Sequence, residues 1–292
     1  MIVITGATGQ LGHLIVDAVL QRVPASQVAV SVRDKAKAAD LAARGVAVRE
    51  ADYGKPETLV AALAGAETLM LVSGDADNAT RIAQHRNAIA AAKAAGVQRV
   101  VYTSYLDNDP ASPFTFAAVH GDTEQALRDS GLAFTILRPS TYADLLVMNA
   151  QGAMANGAYA TAAPAGKTSS IARADIARVA AIVLTQSGHD GKVYELTGPE
   201  ALGAADVAAI IAKIAGKPIP VAPITPEQLA GFFSGTLGMP PFLVEALVGA
   251  QAAVEQGRMA RVTDTVEKLT GQAPLSVEQV LRAALGGAKN AA

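Results

Sequence analysis

The chain contains no cysteine, so disulfides, thiolate metal sites and a cysteine nucleophile are excluded. Its four histidines, His13, His85, His120 and His189, are scattered without metal-ligand spacing, and no metal site is expected. Neither sign of charge is in excess. A formal net charge of -2 leaves no basic field to draw nucleic acid. Long hydrophobic runs are also missing; a run such as 179–184 is far too short to span a bilayer. The first strand is expected to begin at Ile2, which leaves no room for a signal peptide, and the expected location is the cytoplasm. What is present is a globular composition: 51% hydrophobic against 17% charged residues sets the chain apart from disordered ones. Its 292 residues suffice for a nucleotide-sized domain with a smaller companion.

Short β-rich runs alternate with helical stretches through the first half. Strands are predicted over 2–5, 28–32, 46–50, 68–72, 99–103 and 133–138. Helices are predicted over 10–21, 35–44, from about 56, 78–95 and 116–130, with Gly45, Gly96 and Gly131 as stops. Each strand returns through a crossover helix, which demands a parallel sheet. The apolar run Thr68-Leu69-Met70-Leu71-Val72 suits a sheet covered on both faces. The expected fold class is therefore α/β, a doubly wound Rossmann sheet over 1–140. A smaller, mostly helical lobe is expected over 141–292, from which the chain can re-enter the sheet. In that second part the rhythm is irregular. A short strand and an amphipathic helix are predicted over 171–185, a strand over 193–197, and helices over 202–215, 245–256 and 276–285. Ser276 is the expected cap of the last helix, and a frayed tail is expected from Gly286. The apolar stretch 232–248 suits either a lid or an interface.

The strongest local signal is Gly6-Ala7-Thr8-Gly9-Gln10-Leu11-Gly12, between the first predicted strand and the first predicted helix. Glycines there permit a tight turn, close approach of a pyrophosphate and close helix–strand packing. The helix N-terminus adds unpaired N–H groups and a positive dipole end. The motif sits at the first βα turn of a repeated βαβ chain, the context that makes it informative. Residues Gly6 to Leu11 are thus the expected phosphate site of a nicotinamide dinucleotide. After the second strand, Arg33 stands where NAD-preferring domains carry an acid. Its fork suits an adenosine 2′-phosphate, with Lys37 in support, so NADP(H) is expected over NADH. Asp34 either opposes that phosphate or caps the following helix, and Arg33 alternatively stacks on adenine or points to solvent. Asp52 either accepts from the adenine amino group or caps the helix near Pro56. Ser73, Gly74, Asp75 and Thr103 follow later strands and are further cofactor candidates.

Together these residues resemble a known family. Thr5–Gly12, Val32-Arg33, Ala51-Asp52-Tyr53, Tyr102-Thr103-Ser104, Leu137-Arg138-Pro139 and Leu196-Thr197-Gly198-Pro199-Glu200 are similar to the NmrA-like, atypical branch of the short-chain dehydrogenase/reductases. Within it, Val23-Pro24-Ala25-Ser26 and Gln84-His85-Arg86-Asn87 resemble the type-2 quinone reductases and triphenylmethane reductases. The resemblance spans nearly the whole chain. It implies a two-domain monomer or homodimer with its active site in a cleft between domains. It also implies nicotinamide contacts from Ser73, Gly74 and the segment Arg138, Pro139, Ser140 and Tyr142. One departure lies at Pro139-Ser140-Thr141, where relatives carry asparagine after the Arg-Pro pair.

Ordinary members of the superfamily use Tyr-x-x-x-Lys after the fifth strand to protonate a carbonyl. Here the corresponding stretch is His120-Gly121-Asp122-Thr123-Glu124, so a localised alkoxide lacks its acid. Hydride transfer to a conjugated acceptor needs orientation more than a dedicated acid. The expected substrate is therefore a small aromatic or quinonoid molecule, a quinone or a triarylmethane or azo dye. Pocket candidates are Tyr105, Phe114, Phe116, Tyr142 and Met148, each with ordinary core as the alternative; the pocket is favoured for Tyr105 and Tyr142, the core for Phe116 and Met148. Candidate catalytic residues are Tyr142, His120 and Tyr105. His120 and Glu124 share a helix face and form either a weak proton relay or a solvated ion pair. Ser104, His120 and Asp122 resemble a hydrolase triad only in composition, since no Gly-x-Ser-x-Gly elbow is present. Two rival functions are a non-catalytic, dinucleotide-binding redox sensor and a sugar-nucleotide epimerase; the missing Tyr/Lys pair argues against the latter.

Overall fold

A computed structural model describes residues 1–286. The tail beyond Gly286, for which fraying is expected, lies outside the described residues. The chain divides into two compact units. The first comprises Met1–Asn108, Ala118–Arg138 and Arg173–Glu195; the second comprises Asp109–Ala117, Pro139–Ala172 and the remainder from Leu196.

The first unit is built on a seven-stranded sheet. Its strands are β1 (Ile2–Thr5), β2 (Val28–Val32), β3 (Ala47–Glu50), β4 (Thr68–Leu71), β5 (Arg99–Thr103) and β6 (Ala133–Pro139). The small strands β7 (Tyr159–Thr161) and β8 (Lys167–Thr168) belong to the second unit, and β9 (Lys192–Leu196) completes the main sheet. The order is β3-β2-β1-β4-β5-β6-β9, and every pair from β3 to β6 is parallel. Every residue of β1, β2 and β4 is buried, because helices cover both faces. On one face α1 (Gln10–Leu20) packs against α7 (Arg173–Thr185). Leu11, Ile15, Val16 and Val19 form the inward stripe of α1. On the other face lie α3 (Pro56–Ala62), α4 (Asn78–Ala94) and α5 (Ala117–Asp129). Leu59, Leu69, Ile89, Tyr102, Leu127 and Ile136 belong to one continuous cluster there. The short α2 (Ala39–Ala43) follows a 3-10 turn, Lys35–Ala38, and so replaces the single helix expected over 35–44.

The sheet reverses its winding between β1 and β4: the chain runs outward through β2 and β3, then returns to the other side of β1. Ligands of such sheets bind beyond the carboxyl ends of the strands at this reversal.

The second unit is mostly helical. Its core joins α6 (Leu146–Asn156), α8 (Ala204–Ala215) and α12 (Val277–Gly286) through Ala150, Ala153, Val207, Ile211, Val277 and Leu281. α9 (Pro226–Gly231), α10 (Pro241–Glu255) and α11 (Thr265–Thr270) complete it. Strand β10 (Leu202–Gly203) pairs antiparallel with β8, and β11 (Val221–Pro223) pairs parallel with β7. The helix expected over 202–215 therefore starts only at Ala204, where the Asp206 carboxylate accepts the Gly203 N–H. The helix expected from 245 begins earlier, with Pro241 in its first turn. Ser276 caps α12 as expected: its hydroxyl accepts the Gln279 N–H at 3.2 Å. The strand expected near Ile171 is a single bridge to Tyr142. Among the described residues no helix is long and apolar enough to cross a membrane.

Candidate dinucleotide site

The turn after β1 is shaped by its glycines. Gly6 has φ of +63°, in the left-handed region that side chains rarely adopt, and a methyl group there would press on Val72 at 3.2 Å. The β1–α1 turn and the segment after β4 therefore meet at the winding reversal. Gly9 occupies the N-cap of α1 and supplies no side-chain cap, so the first amides of the helix keep their donors for a ligand. Gly6, Thr8, Gly9 and Gln10 are exposed there, while Ala7 and Leu11 anchor the turn in the core. An uncapped helix start, open to solvent and next to the β4 loop, fits a pyrophosphate.

Arg33 is exposed at the end of β2, and its side chain and that of Lys37 have no partners among the described residues. Asp34 caps the turn that follows, its carboxylate accepting the Ala36 N–H at 2.9 Å. Asp52 accepts the Gly54 N–H at 2.9 Å within its own turn rather than capping α3, whose N-cap is Lys55. Ser73 and Gly74 are half-buried and Asp75 is exposed. Thr103 is buried and its hydroxyl accepts the Ser73 N–H at 2.9 Å.

The α5 residues do not form the expected pair. Glu124 is buried and clasped by Arg138, whose Nε and Nη2 donate at 2.8 and 2.6 Å. Ser104, Asn108 and Arg128 donate to the same carboxylate. Burial pushes the Glu124 carboxyl up, but the hydrogen bonds from Arg138 and Ser104 and the Arg138 charge outweigh it and hold the group below its usual range. His120 is buried with Nδ1 at 2.9 Å from the Tyr102 hydroxyl and stacks on Tyr105. Burial, with the nearby Arg81 charge, drives its pKa well below the ordinary range, so the ring is neutral. A solvated His120–Glu124 ion pair is thereby overturned: both groups are buried, and the carboxylate is already surrounded by donors. The triad reading falls as well, since Ser104 donates to Glu124 and Asp122 pairs with Arg86.

Pro139, Ser140 and Tyr142 lie in the second unit. Ser140 is buried, its N–H donating to the Leu196 carbonyl and its hydroxyl accepting from Ser169. Tyr142 is half-buried and caps the turn Ala143–Leu145. Two packing expectations change there. Met148 is exposed rather than core, and Phe116 is half-buried against Phe114 and Phe242. Sequence reasoning missed the side chains of α4 that shape the β4 loop, Arg81 and His85. His85 stood within the Gln84–Asn87 segment that carries the family resemblance, but nothing in the sequence tied either side chain to the β4 loop.

Among the described residues no cluster of three or more histidines and carboxylates could hold a metal ion. Comparison with known proteins bears on the glycine turn directly. A family model described as NAD(P)H-binding matches residues 6–187. Quinone oxidoreductase 2 of Escherichia coli is 41% identical over 93% of this chain and 94% of its own length. An NAD(P)H azoreductase of Xenophilus azovorans is 36% identical over 93% of each chain. The solved Escherichia coli NADPH-dependent quinone oxidoreductase complexed with NADPH has a TM-score of 0.91 at 39% identity, covering 97% of this chain and 99% of that one. The Citrobacter triphenylmethane reductase complexed with NADP(H) has a TM-score of 0.91 at 35% identity, covering 98% of this chain and 100% of that one. With the glycine turn, the winding reversal and these likenesses together, the chain belongs to the NAD(P)H-binding family, in its NmrA-like branch.

Proposed function

We propose that this protein is an NADPH-dependent reductase that passes hydride to a quinone or to a conjugated dye of the triarylmethane or azo class. The observation that carries the reading is the uncapped α1 N-terminus at the winding reversal, with Arg33 exposed one strand away. Gly6 to Leu11 would hold the pyrophosphate, and Arg33 the adenosine 2′-phosphate. Ser73, Gly74 and Thr103 frame the place for the nicotinamide half. When bound, the nicotinamide supplies the hydride. The relatives named as quinone, azo-dye and triphenylmethane reductases support a small aromatic acceptor.

The chain's own residues suit such an acceptor. At the helix positions where a tyrosine and a lysine would protonate a ketone, it carries a neutral buried histidine and a carboxylate fully engaged by donors. Neither is a ready acid at neutral pH. An acceptor that spreads the incoming charge over a conjugated system takes its proton from water, so orientation is what the protein must provide.

Aerobic NADPH consumption with benzoquinone, menadione, malachite green and an azo dye tests the proposal. Turnover with at least one acceptor is the expected result; tight NADPH binding without turnover across the panel would favour the redox-sensor reading. Arg33→Ala is expected to lower kcat/KM for NADPH about tenfold or more while leaving NADH little changed, the loss of one bidentate charge-assisted contact. An unchanged NADPH/NADH preference would remove Arg33 from the argument.

A further inference from the structure

Past Leu71 the chain leaves the sheet, and its amides lose their ladder partners. Three successive N–H groups then donate to side chains: Val72 to Thr5 Oγ1 at 3.0 Å, Ser73 to Thr103 Oγ1 at 2.9 Å and Gly74 to His85 Nε2 at 3.1 Å. The Tyr53 hydroxyl donates to the Val72 carbonyl and Arg81 donates to the Ser73 hydroxyl. The loop's shape is thus set by side chains of β1, β5 and α4 rather than by sheet pairing.

Of the three acceptors, His85 is the one whose role depends on its protonation. A main-chain N–H can only donate, so Nε2 must carry a lone pair. The neutral ring then holds its proton on Nδ1 and donates it to Thr123 Oγ1 at 2.8 Å; Thr123 in turn donates to the Val119 carbonyl. The ring is fully buried and packs edge-on against Tyr102 and Tyr53, with centroids at 5.6 and 6.3 Å. Burial and the neighbouring Arg81 charge both keep it neutral. The residue is inserted between the loop and α5 in one tautomer.

We infer that His85 is a positioning residue for the nicotinamide half of the dinucleotide, acting through the Gly74 amide. The inference rests on the dinucleotide reading above. The β4 loop lies on the opposite side of the winding reversal from β2, whose end carries Arg33 for the adenosine half. Losing the Nε2 acceptor leaves the Gly74 N–H without its partner and frees the loop to turn. The contacts of ribose and nicotinamide then fail, while those of the adenosine 2′-phosphate do not.

Calorimetric titration with two ligands separates the halves: NADPH, and adenosine 2′,5′-bisphosphate, which lacks the nicotinamide nucleotide. His85→Phe keeps a ring but removes the acceptor. It is expected to weaken NADPH about tenfold or more and the bisphosphate less than twofold, by roughly one lost hydrogen bond to a half-buried donor. His85→Gln, whose amide oxygen can replace Nε2, is expected to recover most of the NADPH affinity. Should His85→Phe fail to fold, Thr123→Val carries the same comparison, because it removes the group that fixes the tautomer. Equal weakening of both ligands, weakening of neither, or no recovery with glutamine would overturn the positioning role. A wild-type protein that binds neither ligand would instead remove the dinucleotide reading itself.

Discussion

A methyl group on Gly12 would lie 2.1 Å from the Gly6 carbonyl oxygen and 3.0 Å from the Ala7 Cα, backbone atoms that cannot swing aside. At Gly9 the nearest atom would be the same oxygen at 3.3 Å, a tight but tolerable contact. The two positions therefore separate stability from binding. Gly12→Ala is expected to cost about 1–3 kcal/mol by overpacking, seen as a lower urea midpoint. Gly9→Ala is expected to keep its midpoint and to bind NADPH at least several-fold more weakly, because the methyl group stands where the pyrophosphate approaches. A Gly9→Ala protein with wild-type NADPH affinity would show that no phosphate uses the turn. The Glu124–Arg138 pair makes a second residue-scale case. Removing one charge from a buried, hydrogen-bonded pair is costly, so Glu124→Gln is expected to lose about 3 kcal/mol. Removing the exposed Arg86 from its pair with Asp122 is expected to lose under about 1 kcal/mol. Equal midpoint shifts for the two would refute that contrast. Gly6 and Gly12 were legible in the sequence because their sites admit a single residue type, and Gly9 because it completes their spacing between strand and helix. Glu124–Arg138 and His85–Gly74, 14 and 11 residues apart, were not. Their meeting depends on how α4 and α5 lie against the ends of β4 and β6, and no local pattern encodes that.

At the scale of elements, β1, β2 and β4 were readable because burial on both faces forces continuous apolar runs, and the crossover helices because glycine stops follow them; β3, Ala47-Val48-Arg49-Glu50, is not buried and was marked by its place in the alternation. α6 was not. Its run Leu146-Val147-Met148-Asn149-Ala150-Gln151-Gly152 carries a glycine and shows no clear amphipathic stripe, and only Ala150 and Ala153 of the helix are buried. β10 was read as helix because its two residues precede a strong helical pattern; the pairing partner, Lys167–Thr168, lies about thirty-five residues back. Two helix glycines show how tertiary packing decides between equal propensities. In α10, a methyl group at Gly249 would meet the Pro113 carbonyl oxygen at 2.0 Å, so helix and loop touch backbone to backbone. In α6, one at Gly152 would meet nothing within 4 Å. Gly152→Ala is expected to raise stability by about 0.5–1 kcal/mol, the ordinary propensity gain. Gly249→Ala is expected to lower it despite the same gain, and thermal melts of the two variants should move in opposite directions. A rise in Tm for both would mean that α10 is not held against Pro113.

For the molecule as a whole, the buried histidines set the acid side of the stability profile. Burial, helped by the Arg81 charge, pushes the pKa of His85 down to about 3 and that of His120 well below its usual value. In the unfolded chain both titrate near the reference value of about 6.5. Between these limits the unfolded state binds protons that the folded state refuses, so stability falls as pH drops below about 6.5 and continues to fall toward about 3. Above pH 7 neither histidine contributes a slope. Glu124 acts lower down: its folded pKa is depressed, so its contribution is intact above the unfolded carboxylate value, about 4.3, and disappears as pH falls through the folded one. The window from pH 6.5 to 5 therefore belongs to the histidines: His85 contributes on the order of 2 kcal/mol there, and His120 and the buried His189, whose pKa burial also lowers, act in the same direction. Urea midpoints are expected to hold level from pH 8 to 7 and to fall steeply by pH 5. His120→Phe supplies the internal control. At pH 7.5 it is expected to be less stable than wild type, because the buried Tyr102 hydroxyl loses one of its hydrogen bonds, the one to His120. At pH 5 the gap should narrow or close, since the variant no longer has that ring to keep unprotonated. A gap that stayed constant across this range would mean that His120 is free to take a proton in the folded protein, and its burial against Tyr102 and Tyr105 would have to be given up.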